Sequence, residues 1–218
     1  MKIKAMIAAR SGSVRVQNKN IRPFAGTTLL EIKIQQLQKI RGLDGIVVNS
    51  NDDEILSIAS KYPVEVVKRD NKYATNDVSM SDVYVNMAEN FSGDVVMYSN
   101  VTNPMFESLS IENIIRVFRD GGDFDSVNSV HAIKEFLWLD GKAINYDPKK
   151  QPRSQDLPNI LAINFAISLI SRENMIKHRN VVGQKPLLYE VSETEATDID
   201  TQLDFDIAEL LYKRKIQD

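Results

Sequence analysis

Short apolar runs of strand length alternate along this chain with stretches whose apolar residues recur at helical spacing, and few architectures accommodate that order. Lys2–Ala8, Gly45–Ser50, Val64–Val67, Asp94–Ser99 and Asp125–Val130 read as strands. Leu29, Leu30, Ile32, Ile34, Leu37 and Ile40 share one face of a helix between the first two. Asn51-Asp52-Asp53-Glu54 opens a short helix, with acidic residues where the helix dipole favours them. Ser79 or Ser81 caps a helix running to Phe91, and Ser110 caps another over Ile111–Arg119, ended by Gly121-Gly122. Alternation of this kind predicts a three-layer α/β/α domain around a mostly parallel sheet, Rossmann-like in plan. Residues 1–218 read as a single domain.

The pattern changes over residues 131–158. An aromatic piece (Phe136, Leu137, Trp138), a turn at Asp140-Gly141 and a polar stretch read as an inserted arm, with Phe136 and Trp138 as core or dimer contacts. Ile160–Ile170 is a long apolar strand pattern. A last helix starts at Asp200 or Thr201, with Leu203, Phe205, Ile207, Leu210 and Leu211 as its expected core face.

Composition narrows the function classes. The chain has 218 residues and a net charge of -3, which argues against a broad nucleic-acid surface. It has no cysteine, so disulfides and thiolate metal sites are excluded and a reducing compartment fits. The start reads as a strand and not as a signal peptide, and no apolar run reaches the ~20 residues of a membrane span. A cytoplasmic protein with no membrane or nucleic-acid partner is expected. His131 and His178 lack ligand spacing and read as structural. The serine-elbow and Walker motifs are absent.

Chemistry concentrates in two places. Directly after the first strand comes Ala9-Arg10-Ser11-Gly12-Ser13-Val14-Arg15-Val16-Gln17-Asn18-Lys19-Asn20. Ligands of open α/β sheets bind at the carboxyl ends of the strands, and a loop of small residues there can turn N–H groups toward an anion. Arg10, Arg15 and Lys19 would add charge for a triphosphate; a solvated basic loop is the alternative. Thr197-Asp198-Ile199-Asp200-Thr201 places two carboxylates on one side of an extended segment. Hard oxygen donors of this kind suit Mg²⁺, with Mn²⁺ possible, although Asp200 could equally be the cap of the last helix. Arg153-Ser154-Gln155-Asp156-Leu157-Pro158 and Asn164 form a further polar cluster, and Arg69 and Asn100 follow strands at the same sheet edge.

Taken in order, these motifs resemble the cytidylyltransferases that make CMP-activated acidic sugars, the acylneuraminate cytidylyltransferase (CMP-sialic acid synthetase) family. That family opens with A-R-x-G-S-K-R-x-x-x-K-N, which Ala9–Asn20 fits except at Val14. Val48–Ile55 is similar to its V-S-T-D-D-x-E-I, and Arg69–Ala74 to its R-P-x-x-L-A. Arg153–Pro158 with Asn164-Phe165-Ala166 is similar to R-x-Q-D-L-P and N-G-A, and Asp198–Thr201 matches D-I-D-T. The resemblance implies transfer of CMP from CTP to the anomeric hydroxyl of a nine-carbon keto acid. An eight-carbon (Kdo-type) enzyme and a non-catalytic nucleotide-binding relative are the alternatives. It implies that Ala9, Arg10, Ser11, Gly12, Ser13, Arg15 and Lys19 hold the nucleotide's phosphates, and that Asn20 and Arg69 hold the cytidine part. Asn100, Arg153, Gln155 and Asn164 would face the sugar, and Asp198 and Asp200 would hold Mg²⁺. Arg10, Arg15, Lys19 and the two aspartates would form the catalytic set. The arm implies a homodimer. Val14, Asn100 (for the family's glutamine) and Phe165 (for its glycine) depart from the pattern.

Overall fold

In a computed structural model that describes residues 1–12 and 15–217, the alternation becomes one seven-stranded sheet between helices. Its strands are β1 (Ile3–Ala8), β2 (Gly45–Ser50), β3 (Glu65–Lys68), β4 (Val95–Ser99), β5 (Ser126–Ile133), β6 (Ile160–Ser171) and β7 (Pro186–Glu190). Their spatial order is β7-β5-β6-β4-β1-β2-β3. All run parallel except β6, which lies antiparallel between β4 and β5. Strand β7 and the short helix after β6 were not expected from the sequence.

The helices are α1 (Leu29–Gln38), α2 (Asp53–Ala59), α3 (Met80–Glu89), α4 (Ser108–Asp120), α5 (Arg172–His178) and α6 (Gln202–Lys215). The pleat of β1 sorts them into layers. Ile3, Ala5 and Ile7 pack into a core shared with α1, α2, α4 and α6, while Met6 points into a second core with Val83 and Met87 of α3 and Met175 of α5. Thr28, Asp52 and Ser79 cap α1, α2 and α3 through their side-chain oxygens. Helix α4 begins earlier than Ser110. Glu107 is its N-cap, because Ile111 N–H already bonds the Glu107 carbonyl at 3.2 Å.

Two expectations are corrected. Leu203, Ile207 and Leu210 of α6 are 66%, 45% and 53% exposed; of the expected face Phe205 is buried, together with Ala208. Its apolar residues wrap too far round the axis for one stripe to hold them all, and Phe24 selects the stripe. The Phe24 ring meets Phe205 edge-on at 5.3 Å and Tyr212 at 5.7 Å. Second, Trp138 is exposed and not a core residue. The arm carries only a two-residue ribbon (Trp138–Leu139 with Lys142–Ala143) and an aromatic contact of Phe136 with Tyr146 at 4.8 Å. Strand β5 itself continues to Ile133, into the segment read as arm.

Candidate active site

The chain leaves β1, builds β2 and β3 on one side, and returns to β4 on the other side of β1. That reversal opens a crevice at the carboxyl ends of β1 and β4, the place where open α/β sheets bind ligands. Two adjoining cavities occupy it. One, of about 390 Å³, is lined by Ala8, Arg10, Arg15, Lys19, Asn20 and Asn100, among others. The other, of about 330 Å³, shares Ala8, Arg10 and Asn76 and adds Arg69, Tyr73 and Tyr98. A larger cavity of about 460 Å³, bounded by α1, the start of α4 and the end of α6, contains neither the loop cations nor the paired carboxylates.

The loop after β1 is tied down residue by residue. Ala9 N–H bonds the Asn49 carbonyl at 3.1 Å, continuing the ladder with β2. Ser11 N–H donates to Asn51 Oδ1 at 3.1 Å, and Asn51 Nδ2 donates back to Ser11 Oγ at 2.9 Å. Gly12 has φ +73 with open space around its Cα, a turn that a residue with a side chain adopts only with strain. Ser13 and Val14 lie outside the described residues. Arg10 reaches across the crevice, where Nη1 donates to the Ala74 carbonyl at 2.9 Å and to Asn76 Oδ1 at 3.0 Å. Asn20 is buried, its Nδ2 is 3.4 Å from the Arg10 carbonyl, and its own carbonyl accepts Leu30 N–H at the start of α1. Arg69, also buried, grips Asn49 through Nε to Oδ1 (2.6 Å) and Nη2 to the carbonyl (2.9 Å), and burial lowers its pKa.

The carboxylate segment meets this loop. Lys19 Nζ donates to the Ile199 carbonyl, and Arg15 Nη2 pairs with Asp200 Oδ1 at 2.7 Å. Burial pulls the Lys19 pKa down, and Asp198 and Asp200 oppose that pull. Asp198 is shifted upward, first by burial and then by the charge of Asp200, against a bond from Thr102. The choice left open for Asp200 is decided by its neighbour. Thr201 caps α6, with Asp204 closing a capping box, so Asp200 is not the capping residue. Replacing Thr201 by Ala is expected to cost about 1 kcal/mol of stability, read as a lower urea midpoint. The segment is braced from behind. Ile199 N–H bonds the Thr102 carbonyl at 3.1 Å, Asn103 Nδ2 bonds the Thr197 carbonyl at 3.0 Å, and Lys33 Nζ bonds the Asn103 carbonyl at 3.1 Å.

A divalent cation fits these two residues. Asp198 Oδ1 is buried and has no hydrogen-bond partner among the described residues, an acceptor left open beside a second carboxylate. Among the described residues no group of three or more acidic or histidine side chains could enclose a metal. A cation held here would therefore take its remaining ligands from phosphate and water, as Mg²⁺ commonly does.

Asn100 and Asn164 lie near this centre, whereas Arg153 and Gln155 do not line the crevice. Asn100 N–H bonds the Ala166 carbonyl at 3.1 Å, and Asn164 Oδ1 accepts from Ser129 Oγ at 2.5 Å and from Ala166 N–H at 3.1 Å. Arg153 turns its guanidinium to Asp156, with Nε to Oδ2 at 2.7 Å, in an exposed 3₁₀ turn that also carries Gln155. Asn76 and Tyr98 were not anticipated, and Thr102 only as part of the Asn100-Val101-Thr102-Asn103-Pro104 segment that follows the fourth strand. Thr102 stands shortly after the carboxyl end of β4, a usable signal, whereas Asn76 lies well past β3 in the turn before α3 and had none.

A family model described as cytidylyltransferase matches residues 4–215, nearly the whole chain. The chain belongs to the cytidylyltransferase family. Nucleotidyl transfer is therefore its chemistry. This cytidylyltransferase is 26% identical to the post-translational flagellin modification protein B of Campylobacter coli, across 98% of the chain and 96% of the relative. It is also 26% identical to the CMP-N,N'-diacetyllegionaminic acid synthase of Campylobacter jejuni, again over 98% of the chain and 96% of the relative. An N-acylneuraminate cytidylyltransferase of Oncorhynchus mykiss is 27% identical over 95% of the chain, and the chain spans about half of that protein (49%). In fold it is similar to a CMP:2-keto-3-deoxy-manno-octonic acid synthetase solved with CTP, at TM-score 0.73 and 14% identity over 99% of this chain and 100% of that one. No helix among the described residues of this cytidylyltransferase is long and apolar enough to cross a membrane.

Proposed function

We propose that the chain transfers CMP from CTP to the anomeric hydroxyl of a nine-carbon acidic keto sugar. The observation that carries this reading is the meeting of the β1 loop with the paired carboxylates, where Lys19 reaches the Ile199 carbonyl and Arg15 pairs with Asp200. The nine-carbon class is supported by relatives named for legionaminic, pseudaminic and acylneuraminic acids along almost the full chain. The relative named for an eight-carbon acid aligns with 57% of it.

The acceptor oxygen attacks the α-phosphorus of CTP, the bond to the β-phosphate oxygen breaks, and pyrophosphate leaves. The acceptor's proton departs with solvent or product. No covalent intermediate on the protein is needed. Arg10, Arg15 and Lys19 neutralise the triphosphate, with the Ser11-Gly12 turn lying along it. Asn20 and Arg69 hold the nucleoside end, where Tyr73 and Tyr98 wall the smaller cavity. Asp198 and Asp200 would hold Mg²⁺, with Mn²⁺ suited to the same oxygens, and the ion would supply Lewis-acid screening of phosphate charge and a lower pKa for the attacking hydroxyl. Catalysis then rests on positioning and on stabilising charge that builds on phosphate oxygens. Exposed Trp138, Leu139 and Ile144 on the arm support a homodimer in which the partner's arm approaches the acceptor pocket. A nucleotide substrate supports a cytoplasmic setting.

The test is pyrophosphate release with CTP, Mg²⁺ and a panel of eight- and nine-carbon keto acids, with the CMP-sugar detected by mass. Release with a nine-carbon acid, and none in its absence, is expected. Turnover of the eight-carbon acid alone would replace the proposed acceptor, and failure to bind CTP would overturn the reading of the crevice.

A further inference from the structure

Resting on that reading, we infer that Phe165 is a specificity-determining residue that favours acceptors rich in N-acyl groups. The starting point is a backbone outlier. Phe165 has φ +54, the left-handed region, which for a bulky residue is strained and uncommon. Strain of this kind persists where the surroundings over-determine it, and it clusters at ligand sites. Here the surroundings are visible. The register of β6 against β5 shifts between Ile163 and Ser168, and the bulge is held by Asn164 Oδ1 accepting Ala166 N–H and by Ser129 Oγ accepting Ile167 N–H at 3.0 Å. Bulges commonly re-aim a side chain beside an active site.

The bulge sits at the correct height in the sheet. Ile167 pairs with Ser99, the last residue of β4, so residues 164–166 stand just beyond the carboxyl end of that strand. The Ala166 carbonyl takes Asn100 N–H, and Asn100 lines the cavity that holds Arg10, Arg15 and Lys19. Phe165 is 39% exposed, while Asn164 and Ala166 on either side are buried. Phe165 therefore stands just beyond the carboxyl end of β4, beside the Ala166–Asn100 contact and on the flank of the sheet away from Arg69 and Tyr73. It lines neither cavity itself, so its ring is free to meet an acceptor that approaches the α-phosphate along that flank. An apolar ring there rewards a substituent with a methyl group and does nothing for a hydroxyl. An acyl methyl on the acid meets that requirement; the hydroxyl-rich face of an unacylated acid does not. A single methyl group in an apolar pocket discriminates by roughly 10–200-fold.

The experiment compares wild type, Phe165→Gly and Phe165→Ala in CMP-sugar formation. The acceptors are N,N'-diacetyllegionaminic acid, N-acetylneuraminic acid and 2-keto-3-deoxy-manno-octonic acid, which carry two, one and no acyl groups. Wild type is expected to prefer them in that order by kcat/KM. In Phe165→Gly the ratio of the first to the last falls by about tenfold or more, through the KM of the acylated acid. The CTP dissociation constant stays unchanged, and Tm stays level or rises because glycine relieves the strained φ. Equal ratios in wild type and variants would overturn the inference while leaving the cytidylyl transfer reading intact. So would a uniform loss with all three acids together with a changed oligomeric state, which would make Phe165 a subunit contact. If wild type binds CTP but turns over none of the acids, the proposed acceptor class falls and this inference falls with it.

Discussion

Replacing Asp198 by Asn is expected to lower kcat about 1,000-fold while leaving Tm unchanged or slightly raised. The carboxylate is buried, shares its surroundings with Asp200, and has one oxygen without a partner among the described residues. Asn keeps the shape and the bond to Thr102 but removes a charge whose only proposed use is to hold a cation against the phosphates. Loss of that electrostatic stabilisation is worth about 4 kcal/mol, and each ~1.4 kcal/mol of barrier is tenfold in rate. The apo fold does not suffer, because a like charge beside Asp200 has been removed. Asp200→Asn should also lower kcat, for a partly different reason. It frees Arg15, whose exposed ion pair with Asp200 contributes only about 0–1 kcal/mol to stability. Steady-state rates at saturating CTP across a Mg²⁺ titration, with Tm measured in parallel, check both variants. Near-wild-type turnover in Asp198→Asn would remove this carboxylate from the chemistry.

The second large effect lies behind the site, in a wholly buried lysine. Lys33 on α1 donates to the Asn103 carbonyl at 3.1 Å and to Gln36 Oε1 at 3.0 Å, with no carboxylate partner among the described residues. Burial, with a smaller push from Lys215, lowers its pKa from 10.5 to about 7. The sign follows from proton counting. Between pH ~7 and ~10.5 the folded lysine is mostly neutral, whereas the unfolded chain keeps its proton, so stability rises with pH across that window. Below pH ~7 the burial cost is present in full, and above ~10.5 it has gone. The slope from this one group is at most about 1.4 kcal/mol per pH unit. Urea unfolding without nucleotide should show wild type gaining about 2 kcal/mol on Lys33→Met between pH 7 and 9. Parallel pH profiles would mean that Lys33 is not buried as described. Because the Asn103 carbonyl loses its donor in Lys33→Met, the loop that braces Thr197–Ile199 should loosen as well, and kcat should fall more than CTP affinity.

Much of the architecture was legible before any coordinates. Period-two and period-3.6 patterns are local, so β1, β2, β4 and α1 could be read from nearest neighbours in sequence, as could the cation-bearing loop that follows β1. The D-x-D spacing likewise placed Asp198 and Asp200 together, because alternate residues of an extended segment share a side. Other features depend on partners distant in the chain. Strand direction carries no periodic signature, so the antiparallel insertion of β6 between β4 and β5 was not readable from Ile160–Ile170. The exposure of Leu203, Ile207 and Leu210 depends on Phe24, nearly two hundred residues away. The identity of the α6 cap turned on Thr201 and Asp204 closing a box, which left Asp200 facing Arg15. Arg153 sits beside a ligand motif in sequence, yet it pairs with Asp156 in an exposed turn. Sequence by itself therefore determined most of the elements, β7 and α5 excepted, and the chemical groups they carry, since both are set by local geometry and residue type. Which groups converge, and which turn away, was settled by packing, since burial and charge pairing are properties of the assembled chain.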